Sequence, residues 1–248
     1  NEEGIVGVAY TAELIHLRVL DGDCGGSTYD VAQGVLYAIG AENDSGEVPE
    51  RPADVVNMSL GGGSYDPFFE SVLQDADERG VIVAVSSGND GASSVSYPAR
   101  YATTIAVGSV GYDGEVTSYS NRGENLDLVA PGGGNGGGIL SLHRSEEGFT
   151  YIEGNGTSMA APHAAGIFAL VKGLHPDVTP DRIRSYIEAG VITQEMGDEG
   201  FDTLSGYGLI DAEKAINVAL ADAAGTFRFP ARFVLSDNKL YFTDVMTA

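Results

Sequence analysis

The chain has 248 residues, a length that suits one large α/β domain or two small ones, and 43% are hydrophobic, enough for a sizeable core and too many for wholesale disorder. Against 13 Lys and Arg stand 36 Asp and Glu, a formal charge of −23 that disfavours nucleic-acid partners and anionic membrane surfaces while favouring solubility, cation binding and salt tolerance. A single cysteine, Cys24, excludes an internal disulfide or a multi-cysteine metal cluster, and no apolar run approaches the roughly 20 residues needed to span a bilayer.

In chain order, residues 13–20 (ELIHLRVL) read as a strand. Residues 28–40 follow as a helix with Val31, Val35, Ala38 and Ile39 on one face. A second strand is predicted over 53–60 (ADVVNMSL). Asp66-Pro67 opens the next helix, the carboxylate as cap and the proline at the first helical position. Phe69, Val72, Leu73 and Ala76 form its apolar stripe, and Gly80 can close it. Residues 81–85 (VIVAV) are continuously apolar, as expected of a strand covered on both faces of a parallel sheet. Short strands are predicted at 103–107 and 127–130. A long helix runs over 158–172 and is closed by Gly173. Another starts at Thr179-Pro180 and continues to Glu188; residues 207–210 and a helix over 211–220 complete the alternation. Strand–helix alternation predicts an α/β fold, a doubly wound and mostly parallel sheet with helices on both faces. The tail differs. Residues 226–242 alternate apolar and polar around Ser236-Asp237-Asn238, which reads as a C-terminal β-hairpin.

The string Gly156-Thr157-Ser158-Met159-Ala160-Ala161-Pro162-His163 sets a serine at the mouth of the long helix. Helix N-termini present free N–H groups and a partial positive charge, so a serine there can attack a carbonyl while its own N–H faces the developing oxyanion. Taken alone, Ser158 reads first as a simple helix cap, the common role of a serine at a helix start. Asn89, in Ser86-Ser87-Gly88-Asn89-Asp90-Gly91 after the VIVAV strand, offers an amide donor or merely turn geometry. The glycine run at 132–138 contains Gly-x-Gly-x-x-Gly, but no helix-opening pattern follows it, which argues against a dinucleotide site.

Together these strings resemble the subtilisin-like serine proteases. The serine string resembles the family's nucleophile motif and the Asn89 string its oxyanion segment. Asn57-Met58-Ser59-Leu60-Gly61-Gly62 is similar to its substrate-binding strand. Tyr97-Pro98-Ala99-Arg100-Tyr101, Ile105-Ala106-Val107-Gly108, Val129-Ala130-Pro131-Gly132 and Gly206-Tyr207-Gly208-Leu209-Ile210 follow in family order. The resemblance covers about residues 4 to 221, giving an expected catalytic domain over 1–221 and a β extension over 222–248. It implies a secreted, extracellular endopeptidase acting on extended polypeptides, with Ser158 as nucleophile and Asn89 as oxyanion donor. Ser59, Leu60, Gly61 and Gly62 would form one wall of the cleft and Cys24, Gly25 and Gly26 the other. Ser86, Ser87, Gly88 and Tyr97 would line the primary specificity pocket, with Asp90 near its rim. Structural calcium (Ca2+) is also implied, held near Asn1 at the head of residues 1–3 and by carbonyls near Tyr97 and Tyr101.

The family's aspartate and histidine motifs have no match here. His16, His143, His163 and His175 all lack the required context, so the chain by itself is expected to be nearly inert, its Asp and His lying in an amino-terminal segment of the same protease. Two other readings remain open: a peptide-binding relative without catalysis, and a cofactor-binding doubly wound domain.

Overall fold

A computed structural model describes residues 5–23, 25–145, 148–197, 199–229, 232–236 and 239–243. Helix α1 (Thr28–Ala38) is capped by Ser27, whose hydroxyl accepts from Asp30 N. Strand β1 (Val55–Met58) is followed by α2 (Pro67–Glu78), where the Asp66 carboxylate accepts from Phe68 N and Phe69 N and Pro67 takes the first helical position. This is the start that the Asp-Pro pair predicts. Strands β2 (Ile82–Ser86), β3 (Ile105–Val110) and β4 (Leu128–Pro131) come next. A hairpin of β5 (Ile139–Ser145) and β6 (Gly148–Gly154) then leads into α3 (Thr157–Leu174). Helix α4 (Pro180–Glu188), the two-residue strands β7 (Thr193–Gln194) and β8 (Leu209–Ile210), and α5 (Ala212–Ala223) follow. Strands β9 (Arg232–Ser236) and β10 (Lys239–Thr243) form the antiparallel C-terminal pair. Because α5 runs to Ala223, the change from helix to tail falls just past the 221/222 boundary expected from the sequence.

The main sheet has the order β1-β2-β3-β4-β8-β7, parallel throughout except where β7 meets β8. Every residue of β2 and β3 is buried, as the continuous apolar run implies. Their side chains alternate between two cores. Ile82, Ala84, Ile105, Val107, Leu128 and Ala130 pack with Phe168 of α3, Ile183 and Tyr186 of α4, and Ala215 and Ala219 of α5. On the other face Val83, Val85, Ala106 and Val129 pack with Val31 and Val35 of α1 and Phe69, Val72 and Leu73 of α2. Helices thus cover both faces, and the carboxyl ends of β1 and β2 meet the amino end of α3, the place where open α/β sheets bind ligands.

Residues 13–20 form no strand. A strand exists only where a neighbour completes its ladder, and a cavity of about 290 Å³ separates Leu17, Val19 and Leu20 from Val56, Met58 and Leu60. Leu14 and Leu17 accordingly stand exposed. Among the described residues β1 pairs only with β2, which leaves it at the edge of the sheet. The β5–β6 hairpin, for its part, has no counterpart in the sequence reading.

Candidate active site

Ser158 is not the cap of α3. Gly156 holds that position and Thr157 begins the helix, so Ser158 sits one residue further in, with its N–H in the first turn, where no intrahelical acceptor exists. The Ser158 N–H has no acceptor among the described residues, and the hydroxyl Oγ donates only to the Ser59 carbonyl, a long contact of 3.4 Å. In return Ser59 Oγ donates to the Ser158 carbonyl at 2.7 Å, which ties the end of β1 to the start of α3.

Asn89 lies just beyond β2 and is exposed. Its side-chain oxygen accepts from Thr157 N at 2.8 Å and from Thr157 Oγ1 at 3.0 Å. Thr157 Oγ1 in turn accepts from Gly88 N at 3.2 Å, and Thr157 is fully buried. These two bonds fix the oxygen of the Asn89 amide and leave Nδ2 without a protein acceptor among the described residues. Among the described residues neither Ser158 N nor Asn89 Nδ2 has an acceptor, and both lie beside Gly156, as does Asn89 Oδ1. A Cβ built on Gly156 would lie 3.5 Å from Asn89 Nδ2 and 3.6 Å from Ser158 N. Because Gly156 has none, a small acceptor atom can reach both N–H groups, the arrangement that stabilises an oxyanion.

Around this point the remaining candidate residues occupy different layers. Ser59, Gly61 and Gly62 are exposed along the segment leaving β1, and Gly62 N donates to Tyr97 O at 3.0 Å. Leu60 is half-buried and borders the cavity beside β1. Ser86 and Ser87 are buried behind the surface: Ser86 Oγ donates to Leu60 O at 3.1 Å and Ser87 Oγ to Asn121 O at 3.0 Å. They hold the walls together from within. Gly25 and Gly26 follow a turn in which Asp21 Oδ1 accepts from Gly25 N at 2.9 Å; Cys24 lies outside the described residues. A second cavity of about 400 Å³ is lined by Gly62, Tyr65, Asp90, Tyr97, Arg100 and Asn121, so Asp90 and Tyr97 share one opening.

None of the four histidines reaches Ser158. His163 Nδ1 is hydrogen-bonded to the Met159 carbonyl at 2.8 Å, and His175 Nε2 lies 3.3 Å from Asp222 Oδ2. His16 and His143 are exposed, on residues 13–20 and on β5. Among the described residues no group of three or more His, Cys, Asp or Glu is placed to hold a metal ion. Of the donors considered for calcium, Asn1 lies outside the described residues, and the Tyr97 and Tyr101 carbonyls accept from Gly62 N, and from Thr104 N and Oγ1. Nor is any helix among the described residues long and apolar enough to cross a membrane.

Sequence reasoning missed three contributors: Thr157, which orients Asn89; Gly156, whose missing side chain leaves the space open; and Asn121, packed behind the Asn89 loop. Thr157 and Gly156 stood inside the serine string, adjacent to the residue that drew attention. Asn121 carried no signal, because the partners that tie it to the Asn89 loop lie 25 or more positions away.

Residues 1–208 match the sequence model of the subtilase family. Subtilisin BL of Lederbergia lenta is 39% identical over 215 residues, covering 87% of this chain and 72% of that protein. An extracellular protease of Xanthomonas campestris pv. campestris is 35% identical, covering 89% of this chain and 38% of its own length. A solved protease structure from Pseudoalteromonas arctica superposes with a TM-score of 0.78 at 38% identity, covering 86% of this chain and 65% of that one. With the motifs in order, the parallel sheet in place and these likenesses across most of its length, the chain belongs to the subtilase family of serine proteases.

Proposed function

We propose that the chain is the nucleophile-bearing part of a secreted subtilisin-type endopeptidase that cleaves extended polypeptides. Supporting this is the meeting of Ser158 N and Asn89 Nδ2 over Gly156, beside the Ser158 hydroxyl. In the proposed reaction Ser158 Oγ attacks the scissile carbonyl carbon, and the carbonyl oxygen becomes the oxyanion received by the two donors. The serine proton passes to a base. Collapse of the intermediate breaks the C–N bond, the base returns the proton to the leaving amine, and water later releases the acyl group from Ser158. An extended substrate would lie as an added strand along Ser59, Leu60, Gly61 and Gly62, its side chain entering the opening near Asp90 and Tyr97. Among the described residues no base or orienting carboxylate contacts Ser158, and we assign both to an amino-terminal segment of the same protease. Alone, the 248-residue chain is nearly inert, since a serine hydroxyl without a base is a weak nucleophile. A secreted location agrees with the extracellular protease among its relatives.

In the complete gene product a fluorophosphonate labels Ser158 and casein is hydrolysed, and Ser158→Ala abolishes both. Labelling that survives Ser158→Ala defeats the reading. A second reading, a peptide binder without catalysis, draws on the Ser158 hydroxyl having, among the described residues, only a carbonyl as partner. Intact mass of the native protein separates the two: a species beginning at Asn1 that binds peptides without cleaving them supports the binder, and a longer labelled species supports the protease.

A further inference from the structure

We propose that Asn121 is the positioning residue of the oxyanion loop, fixing Asn89 by clasping the backbone on both sides of it. The proposal rests on the reading of Asn89 as an oxyanion donor and adds the group that aims it. Asn121 lies after β3, far from Ser158 in sequence, and is 1% exposed. Apart from the Ser120 hydroxyl, which donates to its carbonyl at 3.3 Å, its hydrogen bonds run to the strand end and loop that carry Asn89. The backbone N of Asn121 donates to Gly88 O at 3.0 Å, and its carbonyl accepts from Ser87 Oγ at 3.0 Å. Side-chain Oδ1 accepts from Asp90 N and from Ala92 N, both at 2.9 Å. Side-chain Nδ2 donates to Ser96 Oγ at 3.1 Å. Residues 87, 88, 90 and 92 are thus held by one asparagine, which brackets Asn89 without touching its side chain.

This leaves two separate supports for Asn89. Thr157 sets the rotation of the amide from the front, through its oxygen. Asn121 sets the position of the backbone from behind. Both are needed, because a donor helps only when its N–H lies within a few tenths of an ångström of the place where charge develops. Gly88 reflects the same design. Its φ is +113°, and a Cβ there would come within 2.2 Å of Asn121 Nδ2 and 2.7 Å of Ser96 Oγ. A side chain at 88 would therefore evict the amide that clasps the loop.

Chemistry also distinguishes the replacements. Asn121→Ala removes the acceptor for two backbone N–H groups and the donor to Ser96. Asn121→Asp keeps the acceptor and the shape, but loses the donor and sets a carboxylate beside Asp90, whose Oδ2 lies 3.5 Å from Asn121 Nδ2. The clasp in Asn121→Asp should therefore improve as pH falls and one carboxyl of the pair takes up a proton.

The test uses two independent readouts. On the 248-residue chain, side-chain 15N relaxation reports the order of the Asn89 amide. It is rigid in the parent, mobile in Asn121→Ala, and regains order in Asn121→Asp as pH is lowered. An Asn89 amide equally rigid in Asn121→Ala overturns the proposal, whatever the activity. In the complete gene product, the rate of Ser158 labelling by fluorophosphonate is measured in a double-mutant cycle with Asn89→Ala. Asn121→Ala slows labelling about tenfold when Asn89 is present and less than about threefold when it is already alanine, because the effect passes through Asn89. Equal slowing in both backgrounds identifies a merely structural residue and refutes the assignment. Absence of any labelling in the parent would defeat the protease reading, leaving relaxation to decide the positioning role.

Discussion

Gly156→Ala tests the oxyanion space with one methyl group. That carbon would lie 3.5 Å from both side-chain heteroatoms of Asn89 and 3.6 Å from Ser158 N, ordinary van der Waals distances, so no neighbour has to move. An incoming oxygen, however, needs about 2.7–3.1 Å to each donor, and the methyl fills the place where it would sit. A charged oxygen held by a neutral donor gains about 1.5–3 kcal/mol, so losing both donors removes about 3–6 kcal/mol of transition-state stabilisation. Labelling of Ser158 by a fluorophosphonate in the complete gene product should then slow by about two to four decades. The backbone at 156 has φ +154°, which strains a residue bearing a Cβ by about 1–3 kcal/mol. For a chain of this length each kcal/mol lowers Tm by about 2–4 °C, so labelling is measured well below the Tm of the variant, with circular dichroism confirming the fold. A folded Gly156→Ala protein labelled within threefold of the parent rate would refute the idea that the two donors act through the space over Gly156.

Other consequences lie in the folded body of the chain. Burial pushes the Asp127 carboxyl up to about 7 against the help of Ala106 N, which donates to its Oδ2 at 2.6 Å. An acid raised in the fold binds more protons there than when unfolded, so stability falls as pH rises from about 4 to 7 and is level above that. Asp127→Asn, which keeps an acceptor for Ala106 N, should remove a slope worth on the order of 2–4 kcal/mol in denaturant titrations between pH 4 and 8; an unchanged slope counts against it. Asp222 carries the opposite sign. It accepts from Arg182 Nη2 at 2.6 Å and Nε at 3.1 Å and from the Tyr186 hydroxyl, and Arg182 foremost holds its carboxyl below the usual range. Its contribution is present above the ordinary carboxylate pKa and is lost as pH falls through the lowered folded value. With Arg182 a third exposed, Asp222→Asn should cost about 2 kcal/mol, or about 4–8 °C in Tm at neutral pH, the difference fading as pH falls below the ordinary carboxylate range; a drop under 1 °C at neutral pH would rule this out.

What the sequence made legible was local or came in strings. The Asp66-Pro67 start of α2 and the apolar run of β2 could be read because the signal and its cause occupy the same few residues. Ser158 and Asn89 could be paired because each stands in a string of family-like residues. Residues 13–20 have a strand's composition yet form none, since pairing depends on a neighbour that no local pattern reports. The β5–β6 hairpin was hidden because it follows a run of glycines, which punctuates a chain without saying what comes next. Asn121 stayed invisible for a related reason: its hydrogen bonds draw on 87, 88, 90, 92 and 96, a set that only the folded chain assembles.

The flank of β1, unpaired among the described residues, shapes how the isolated chain behaves in a tube. Unpaired strand edges recruit other strands, and here the flank borders an apolar cavity with Leu14, Ile15 and Leu17 exposed nearby. The formal charge of −23 opposes contact between copies. That repulsion reaches about 30 Å at 0.01 M salt and about 3 Å at 1 M. The acidic surface that promises salt tolerance thus guards the edge least where salt is highest, and self-association of the isolated chain rises with ionic strength.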